Sequence, residues 1–243
     1  MSVQKTANPV ELEARRKVGV AAAALVAPGM VVGLGTGSTA AFAIAELGRR
    51  WREEGLRFTG VPTSWSAAEL AREAGLLVRT LNDVDRVDLA LDGADEVGPG
   101  LALIKGGGAA HTQEKVVATA AERFVVLADD GKLVDVLGRK WAVPIEVLGI
   151  ALRPVERRLR ELGAVPALRK GGGKDGPVVT DHGNLVVDAR FPEIPDPAAL
   201  GRALDSIPGV VEHGLFVGLA EFALVGSRAD GSVRRIDAEP RRA

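Results

Sequence analysis

The segment from Leu91 to Lys115 combines residue types that could transfer protons and stabilise negative charge. It reads LDGADEVGPGLALIKGGGAAHTQEK and contains four carboxylates, and its first lysine is followed by three consecutive glycines. Neighbouring carboxylates repel one another, and glycine loses more conformational freedom on folding than any other residue, so stability alone favours neither feature. We therefore interpret this segment as part of a functional site.

A second segment, GLGTGSTA at residues 33–40, is typical of an anion-binding turn. A glycine-rich connection between a strand and a helix exposes backbone N–H groups at the helix N-terminus, where phosphate binds well. Two alternatives stay open: a tight turn capped by Ser38, and a dinucleotide fingerprint formed by Gly35, Gly37 and Ala40. The dinucleotide interpretation is weakened because the second predicted strand ends in GVPTS, without the acid that binds a ribose.

Asp92 and Lys105 are predicted to meet at one edge of a sheet. Each ends an apolar run, and an ammonium group beside a carboxylate keeps both groups ionised. Gly106–Gly108 then allow backbone N–H groups to face a ligand. Glu114 lies near the start of the following helix and is expected to point towards the same edge. The ordinary alternatives are a solvated Asp-Gly turn at Asp92 and a favourable charge near a helix N-terminus at Glu114.

These segments lie in a chain that alternates between strand-like and helix-like patterns. An amphipathic helix at about residues 9–26 is followed by the apolar run MVVGLG and by the helical pattern STAAFAIAELGRRW, and this order recurs. Such alternation predicts an α/β fold with a mostly parallel, Rossmann-like sheet and helices on both faces. Ligands of such sheets bind beyond the carboxyl ends of the strands. Five predicted strands are followed there by TGST, TS, DGADE, KGGG and DDGK.

The pattern changes near residue 140 and predicts a second domain. Strand and helix patterns follow in the order βαββαβ, which is typical of a ferredoxin-like α+β unit, with PVVTD and LVVDARF forming a hairpin. The last pattern, EFALVGSRADGSVRRI, predicts two strands that rejoin the first sheet. We therefore expect an α/β catalytic domain at residues 1–138 and 214–243, with the smaller domain inserted at residues 139–213.

Composition argues against several classes of function. The 243-residue chain has 31 basic and 32 acidic residues in scattered positions, which disfavours nucleic acid and membrane surfaces as partners. Cysteine is absent and the three histidines, His111, His182 and His213, are far apart, so we expect no metal site and favour solvent-facing or hydrogen-bonding histidines. The N-terminal sequence lacks the apolar core of a signal peptide and no run could span a bilayer, which predicts a cytoplasmic protein.

In this order and spacing, GLGTGSTA, DGADE, KGGGAA…EK and DDGK resemble the motifs of ribose-5-phosphate isomerase, type A. The resemblance extends over almost the whole chain and includes the later segments VVTDHGN and IPGVVEHGLF. It implies an aldose-ketose isomerase that interconverts D-ribose 5-phosphate and D-ribulose 5-phosphate through an enediolate, in the non-oxidative pentose phosphate pathway. It also implies that the enzyme uses no metal or organic cofactor and is a homo-oligomer, either a dimer or a tetramer.

The resemblance also implies roles for individual residues. Glu114 matches the general base, and Lys105 with the Gly106–Gly108 amides is placed to stabilise the enediolate oxygen. Asp92 and Asp95 match contacts to sugar hydroxyls, and one of them, with Asp92 preferred, assists ring opening. The substrate-binding positions implied are Lys17, Thr36, Gly37, Ser38, Thr39, Asp92, Gly93, Ala94, Asp95, Lys105, Gly106, Gly107, Gly108 and Lys132.

Within this set, the phosphate end of the substrate is assigned to the loop Thr36–Thr39. Lys132 matches a further substrate contact, and Lys17 is a phosphate contact from the first helix. The chain contains KGGG a second time, at residues 170–173, where lysine, aspartate and proline follow closely. We interpret this second copy as a solvated loop without a catalytic role.

Two other classes of protein stay open on the sequence alone. A sugar-phosphate sensor of a transcription regulator could use a related α/β domain, but such a chain normally carries a helix-turn-helix, and a single helix precedes VVGLG here. An NAD-dependent oxidoreductase would need the ribose-binding acid that GVPTS lacks. The isomerase interpretation requires neither feature.

Overall fold

The computed structural model describes residues 8–173 and 175–238, and these residues form two compact units. The large unit contains residues 8–94, 113–133 and 218–238, and the small unit contains the described residues of 95–112 and 134–217. Within the described residues, the chain therefore passes between the units four times. The predicted insertion of an independent domain at residues 139–213 stays a prediction.

The large unit is built on a six-stranded sheet. Its strands, numbered along the whole chain, are β1 (Val31–Leu34), β2 (Thr59–Pro62), β3 (Leu89–Gly93), β6 (Phe124–Asp129), β12 (Phe222–Gly226) and β13 (Val233–Asp237). They lie in the order β13-β12-β6-β3-β1-β2, and neighbours pair in parallel except for β12 with β13. This arrangement confirms the mostly parallel sheet and the return of the last two strands to it.

Helices accompany these strands, and local sequence sets where they begin. They are α1 (Pro9–Ala23), α2 (Ser38–Glu53), α3 (Trp65–Glu73) and α4 (His111–Ala120). The Asn8 side chain caps α1 and the Ser64 side chain caps α3, each by accepting a backbone N–H. Gly37 precedes α2 with φ 106°, a conformation that glycine adopts without a steric penalty. Every residue of β6 is buried, as expected for a strand covered on both faces.

The small unit contains a four-stranded antiparallel sheet. Its elements are β7 (Val143–Val147), α5 (Leu152–Glu161), β8 (Val165–Leu168), β9 (Leu185–Arg190), α6 (Pro197–Asp205) and β10 (Val210–His213). The strands lie in the order β10-β7-β9-β8 and all pairs are antiparallel. The predicted βαββαβ order of a ferredoxin-like unit is therefore confirmed.

One predicted hairpin of this unit is wrong in its first strand. The segment PVVTD forms only isolated bridges, Pro177 with Lys170 and Val179 with Leu185, whereas the regular pairings of β9 are with β7 and β8. The turn between the two segments is present, because the backbone N–H of Thr180 donates to the carbonyl of Asn184. The Thr180 hydroxyl donates to the buried Glu146 at 2.8 Å. The two segments thus meet next to the turn without forming a regular ladder.

A second correction concerns the run that leads to the first KGGG copy. The strands β4 (Glu96–Val97), β5 (Leu103–Ile104) and β11 (Leu215–Phe216) form a separate antiparallel sheet in the order β11-β5-β4. The run LALI is therefore not a strand of the large sheet, and the expectation that it ends on the same sheet edge as Asp92 is wrong. A 3₁₀ turn at Pro99–Leu101 reverses the chain after β4, so β5 pairs with its own neighbour in sequence.

Glu96 fixes a loop within the small unit. The side chain is fully buried and accepts hydrogen bonds from the backbone N–H groups of Gly138, Lys140 and Trp141 at 2.7, 2.5 and 2.7 Å. A carboxylate that accepts several N–H groups compensates for its loss of hydration and satisfies donors that would otherwise be buried without partners. Glu96 is thus a structural residue of the segment LDGADE rather than a reactive one.

Each unit has its own apolar core. The core of the large unit includes Val18, Leu47, Phe58, Leu91 and Phe222, and the core of the small unit includes Ile104, Val147, Leu159, Val187 and Leu204. Burying these side chains is the main source of stability for each sheet and its helices. In the part of the chain that the structure describes, no helix has the length and apolarity needed to cross a membrane.

Candidate active site

Asp92 lies near the carboxyl end of β3 and is only 3% exposed. Its Oδ1 atom accepts hydrogen bonds from Thr36 N–H at 3.0 Å and from Gly93 N–H at 2.7 Å. A Cβ atom on Gly35 would lie 2.3 Å from the same oxygen, so a glycine is needed for the loop to approach the carboxylate. Because β1 and β3 are parallel neighbours, the structure brings Asp92 and the predicted phosphate loop together, as expected.

Thr36 also belongs to a cluster of hydroxyl groups. Its Oγ1 atom is 2.8 Å from Oγ1 of Thr63 and donates to Oγ of Ser64 at 2.7 Å. Thr63 and Ser64 follow β2, the parallel neighbour of β1, so the TS segment reaches the sheet edge that the sequence predicts. Hydroxyl groups both donate and accept hydrogen bonds and therefore suit a sugar or phosphate ligand.

The N-terminus of α2 carries the rest of the predicted phosphate loop. Ser38, its first residue, is exposed, whereas Thr39 is buried. The first N–H groups of a helix have no partner within the helix, and they favour an anion there. Arg15 Nη1 donates to Ser38 Oγ at 3.0 Å, which places a permanent positive charge at this helix end.

Sequence analysis selects Lys17 from α1, but it misses Arg15. Lys17 lies beside Gly231, where a Cβ atom would be 2.8 Å from the Lys17 Nζ atom. Residues two apart on a helix point in different directions, so Arg15 and Lys17 face different neighbours. The sequence of α1 does not distinguish Arg15 from Arg16 and Lys17. Which of the three side chains faces α2 depends on the rotation of α1 about its axis, and packing sets that rotation. A phosphate contact from Lys17 stays a prediction.

Asp129, at the end of β6, is fully buried and connects several basic groups. Its Oδ2 atom accepts from Arg15 Nε at 3.0 Å, and its Oδ1 atom accepts from Arg228 Nε at 2.9 Å. Burial acts to raise the pKa of Asp129, but the hydrogen bonds from Arg15 and Arg228 outweigh it and hold the pKa below its usual value. Oδ1 also accepts from Gly131 N–H at 3.1 Å, which caps the 3₁₀ turn that carries Lys132.

Glu114, the predicted base, lies in the first turn of α4 and is 4% exposed. Gln113 Nε2 donates to the carbonyl of Pro62 at 2.9 Å and so ties the start of α4 to the end of β2. Val117 packs so closely on β1 that a Cβ atom on Gly33 would lie 2.7 Å from Val117 Cγ1. Residues three apart share a helix face, so Glu114 lies on the side of α4 that faces the sheet.

Lys105 belongs to the small unit and is only 2% exposed. Its Nζ atom lies 5.3 Å from the centroid of the Phe216 ring, within the range of a cation–π interaction. Its backbone N–H donates to the carbonyl of Gly214 at 2.8 Å, next to the pairing of β5 with β11. Burying an ammonium group is costly, so its presence in this position favours a function over a purely structural role.

The glycines after Lys105 are bound to two side chains of the small unit. Gly107 N–H donates to Asp95 Oδ2 at 2.7 Å, which brings two predicted site residues together. Arg169 Nη1 donates to the carbonyls of Gly106 and Gly107 at 2.9 and 3.1 Å, and Arg169 Nε donates to Asp188 at 2.9 Å. Arg169 is a further residue that sequence analysis misses, since nothing in the sequence relates residue 169 to residues 106 and 107.

The second KGGG copy differs from the first in its surroundings. Lys170 is exposed, and Cβ atoms on Gly172 and Gly173 would have no heavy atom of the described residues within 4 Å. The solvated environment predicted for these residues is therefore confirmed. Arg169, directly before this copy, is nevertheless bound to the first copy, so the loop is attached at its first residue.

The expectation of solvent-facing or hydrogen-bonding histidines is confirmed for His182 and His213. His182 is exposed, but His111 and His213 are buried. His213 has the expected hydrogen-bonding role: Nδ1 accepts from Leu215 N–H at 3.2 Å and Nε2 lies 3.2 Å from Asp205 Oδ1. Among the described residues, Asp205, Glu212 and His213 form one group whose potential metal-ligand atoms lie within 4.8 Å of one another.

The predicted site residues are divided between the two units. The large unit holds Lys17, Thr36–Thr39, Asp92–Ala94, Glu114 and Lys132, and the small unit holds Asp95 and Lys105–Gly108. Within the large unit, hydrogen bonds connect Asp92 with Thr36, and within the small unit they connect Asp95 with Gly107. The catalytic and binding roles of these residues stay predictions.

Comparisons with known proteins agree on one family. The family model of ribose 5-phosphate isomerase A (phosphoriboisomerase A) matches residues 59–230. Ribose-5-phosphate isomerase A of Thermosynechococcus vestitus is 56% identical over 218 residues, which are 89% of this chain and 92% of that protein. The corresponding protein of Methanosarcina acetivorans is 53% identical over 222 residues, which are 91% and 93% of the two chains.

Solved structures give the same result. Ribose 5-phosphate isomerase A of Methanocaldococcus jannaschii matches with a TM-score of 0.88 at 46% identity, covering 93% of this chain and 98% of that chain. A D-ribose-5-phosphate isomerase in complex with phospho-erythronic acid matches with a TM-score of 0.89 at 43% identity and the same coverage of 93% and 98%. From the family model and from relatives that match over most of its length, this chain belongs to the ribose 5-phosphate isomerase A family.

Proposed function

We propose that this chain interconverts D-ribose 5-phosphate and D-ribulose 5-phosphate through an enediolate, with Glu114 as the general base. Membership of the family carries the assignment of an aldose-ketose isomerase. The relative that is in complex with phospho-erythronic acid supports a phosphorylated ligand. The observation that carries the role of Glu114 is a carboxylate buried in the first turn of a helix, on the face that packs on the sheet.

The proton transfers follow from the chemistry of the open-chain sugar. The Glu114 carboxylate takes the proton from C2, a C1–C2 double bond forms, and the C1 carbonyl oxygen becomes the enediolate oxygen. Glu114 then returns the proton to C1, while the O2 hydroxyl gives its proton to O1 and becomes the ketose carbonyl. The reaction thus gains and loses no atoms. Excluding water from Glu114 favours this role, because a less hydrated carboxylate is a stronger base.

Lys105 is the group we assign to the enediolate oxygen. A buried ammonium group next to developing negative charge stabilises it more than a solvated one does, because the local dielectric is low. The Gly107 N–H group already donates to Asp95, so we assign this N–H group to holding the Asp95 carboxylate in place and not to binding the enediolate oxygen. Because its carboxylate is held in this way, we assign Asp95 to binding the sugar hydroxyls.

Asp92 and the phosphate loop complete the proposed substrate contacts. Asp92 contacts the sugar hydroxyls and assists ring opening, supported by its burial and its place at the strand edge. The phosphate is bound by Thr36–Thr39 and Lys132. Arg15 joins them in addition to Lys17, because Arg15 donates to Ser38 at the N-terminus of α2.

The most direct test is proton NMR of ribose 5-phosphate with the protein in D2O. We expect ribulose 5-phosphate to appear without any added nicotinamide, with deuterium entering at C1 or C2 as the base exchanges its proton with solvent. Absence of turnover would contradict the isomerase proposal. A requirement for a nicotinamide would support the oxidoreductase alternative, and tight sugar-phosphate binding without turnover would support the sensor.

The proposed reaction uses no metal or organic cofactor. The chain has no cysteine and only three histidines, and a proton transfer between adjacent carbons needs an acid-base group and an oxyanion partner only. We therefore expect exhaustive chelation with EDTA to leave the activity unchanged. Loss of activity that a divalent ion restores would contradict this part of the proposal.

We also propose that the chain is a homo-oligomer, either a dimer or a tetramer, as the family resemblance implies, and that it works in the cytoplasm, which agrees with relatives that are metabolic enzymes. Size-exclusion chromatography with light scattering tests the assembly and is expected to give two or four times the mass of one chain. A mass of one chain at micromolar concentration would contradict it.

A further inference from the structure

Arg228 makes contacts that the proposed reaction does not use. It lies between β12 and β13, and its side chain is 40% exposed. The Nε atom donates to Asp129 Oδ1 at 2.9 Å, and Nη2 donates to the same oxygen. The backbone N–H of Arg228 donates to Asp130 Oδ2 at 3.0 Å, and Nη2 lies 3.4 Å from Glu11 Oε1. Several acceptors thus hold an arginine that is otherwise partly in solvent.

Asp129 connects Arg228 to the predicted phosphate loop. Its second oxygen, Oδ2, accepts from Arg15 Nε at 3.0 Å, and Arg15 Nη1 donates to Ser38 Oγ at 3.0 Å. Arg228, Asp129, Arg15 and Ser38 therefore form a continuous row of hydrogen bonds, most of them between charged groups. Such charge-assisted hydrogen bonds are the stronger ones and have well-defined geometry.

Gly131 provides the space for the Arg228 guanidinium group. A Cβ atom on residue 131 would lie 2.2 Å from both Cζ and Nη2 of Arg228. Gly131 is not among the glycines with positive φ, so its backbone conformation is open to other residues. The position of Arg228 is therefore a specific physical reason for a glycine in the DDGK motif of this chain.

We propose that Arg228 is a positioning residue for phosphate binding, which holds Asp129 so that Arg15 stays at Ser38 and the N-terminus of α2. The inference rests on the proposed function, because it assumes that the phosphate group of the substrate binds at the N-terminus of α2. Without Arg228, the Oδ1 atom of Asp129 loses its charged donor, and the carboxylate becomes available to turn towards Arg15. A binding group whose supporting contacts are lost is held less accurately for its ligand.

The test measures inorganic phosphate binding by isothermal titration calorimetry, together with kcat and KM for ribose 5-phosphate. The variants are Arg228→Met, Gly131→Ala and the double variant. Gly131→Ala keeps every charge, and the three atoms nearest to its new Cβ atom belong to the flexible end of Arg228, so we expect it to displace that side chain in a folded protein. We expect each single change to weaken phosphate binding about tenfold and to raise KM similarly, with kcat within about threefold.

The double variant separates positioning from other effects. If Gly131 matters only because it admits Arg228, the double variant should bind phosphate as each single variant does, without an additive loss. Two controls are matched to the changes. Arg16→Met removes a charge from α1 where the side chain forms an exposed ion pair with Glu13, and Gly149→Ala adds a Cβ atom that has no atom of the described residues within 4 Å.

Three outcomes would overturn the inference: phosphate binding that is unchanged in Gly131→Ala, an additive loss in the double variant, or a fall in kcat with unchanged phosphate affinity. The isomerase assay of the unsubstituted chain tests the proposed function separately. A chain that fails to isomerise, but whose phosphate affinity falls in both single variants, would contradict the proposed function and support the role of Arg228.

Discussion

At the scale of single residues, the fold keeps Glu114 and Lys105 away from water. Removing either charge from water costs several kcal/mol unless strong partners compensate. Apolar side chains of similar size would pack in these positions without that cost, so stability alone does not account for the two residues. Burial does suit the proposed roles, because a carboxylate with little hydration is a stronger base and a buried ammonium group stabilises an oxyanion more strongly.

Glu114→Gln is the first variant that follows from this view. The amide has nearly the same shape but cannot accept the C2 proton, so we expect kcat to fall at least ~10²-fold with KM changed little. Glu122→Gln, an exposed glutamate just beyond the end of α4, is the matched control and should be neutral. Near-normal turnover in Glu114→Gln, measured by steady-state kinetics, would remove Glu114 from the mechanism.

The two KGGG copies give a second comparison within one chain. Lys105 is buried and Lys170 is exposed, so the same substitution should have different effects. We expect Lys105→Ala to lower kcat/KM by roughly 10²–10³-fold, as for the loss of one buried oxyanion donor, and Lys170→Ala to change it less than about threefold. Equal losses in the two variants would show that the second loop reaches the substrate.

Some of these residues can be found from sequence and others cannot. Asp92 lies near the end of β3 and Thr36 follows its parallel neighbour β1, and the carboxyl ends of such strands meet at one edge, so their proximity can be predicted. Arg15 and Arg169 act through contacts between elements whose relative rotation is set by packing. That rotation cannot be predicted from a single sequence, so the contacts of Arg15 and Arg169 are visible only in the structure.

At the scale of elements, the turn after β5 depends on glycine for two different reasons. Gly106 has φ 101°, which side chains other than glycine rarely adopt, whereas a Cβ atom on Gly107 would lie 2.8 Å from Asp95 Oδ1. Gly107 is not among the glycines with positive φ, so its backbone conformation alone does not require glycine. Its role is to let a carboxylate approach the chain.

Gly107→Val tests this element. The added side chain would push Asp95 away and break the hydrogen bond from the residue 107 N–H, so we expect kcat/KM to fall at least ~10-fold with a native circular dichroism spectrum. Gly172→Val places the same side chain in the exposed loop and should be tolerated, since no atom in the described part of the chain lies within 4 Å of its Cβ position. Comparable damage from both variants would contradict the assignment.

Element pairing marks a limit of prediction at this scale. The large sheet could be predicted because its buried strands read as apolar runs between helices. The strand β5 has only two residues and pairs with β4 across a short 3₁₀ turn, so its apolar run looks like any other. Sequence alone cannot distinguish such a hairpin from a strand that joins the main sheet.

At the scale of the whole molecule, Asp129 links stability to pH. The pKa of Asp129 is lowered in the folded chain, so its ionised form stabilises the fold above the unfolded pKa of about 4, and this contribution is lost as pH falls through the folded pKa. We expect Asp129→Asn to lower the free energy of unfolding by about 2–3 kcal/mol at pH 7, with the difference shrinking below about pH 4.

Urea denaturation of the two proteins at several pH values measures this difference. Glu193→Gln, which removes an exposed partner of Arg139, is the control and should change stability by less than about 1 kcal/mol at any pH. A difference for Asp129→Asn that is constant or grows in acid would show that the hydrogen bonds from Arg15 and Arg228 do not stabilise the ionised carboxylate.

The contacts of Glu96 set a condition for moving parts of this protein into other scaffolds. A gene fragment for residues 139–213 would contain every strand of the four-stranded sheet but not the carboxylate that accepts the N–H groups of Gly138, Lys140 and Trp141. It would also lack β4 and β5, which group with that sheet in the small unit. In recombination or protein engineering we therefore expect a transferable unit that is discontinuous in the gene, with residues 95–112 transferred together with residues 134–217.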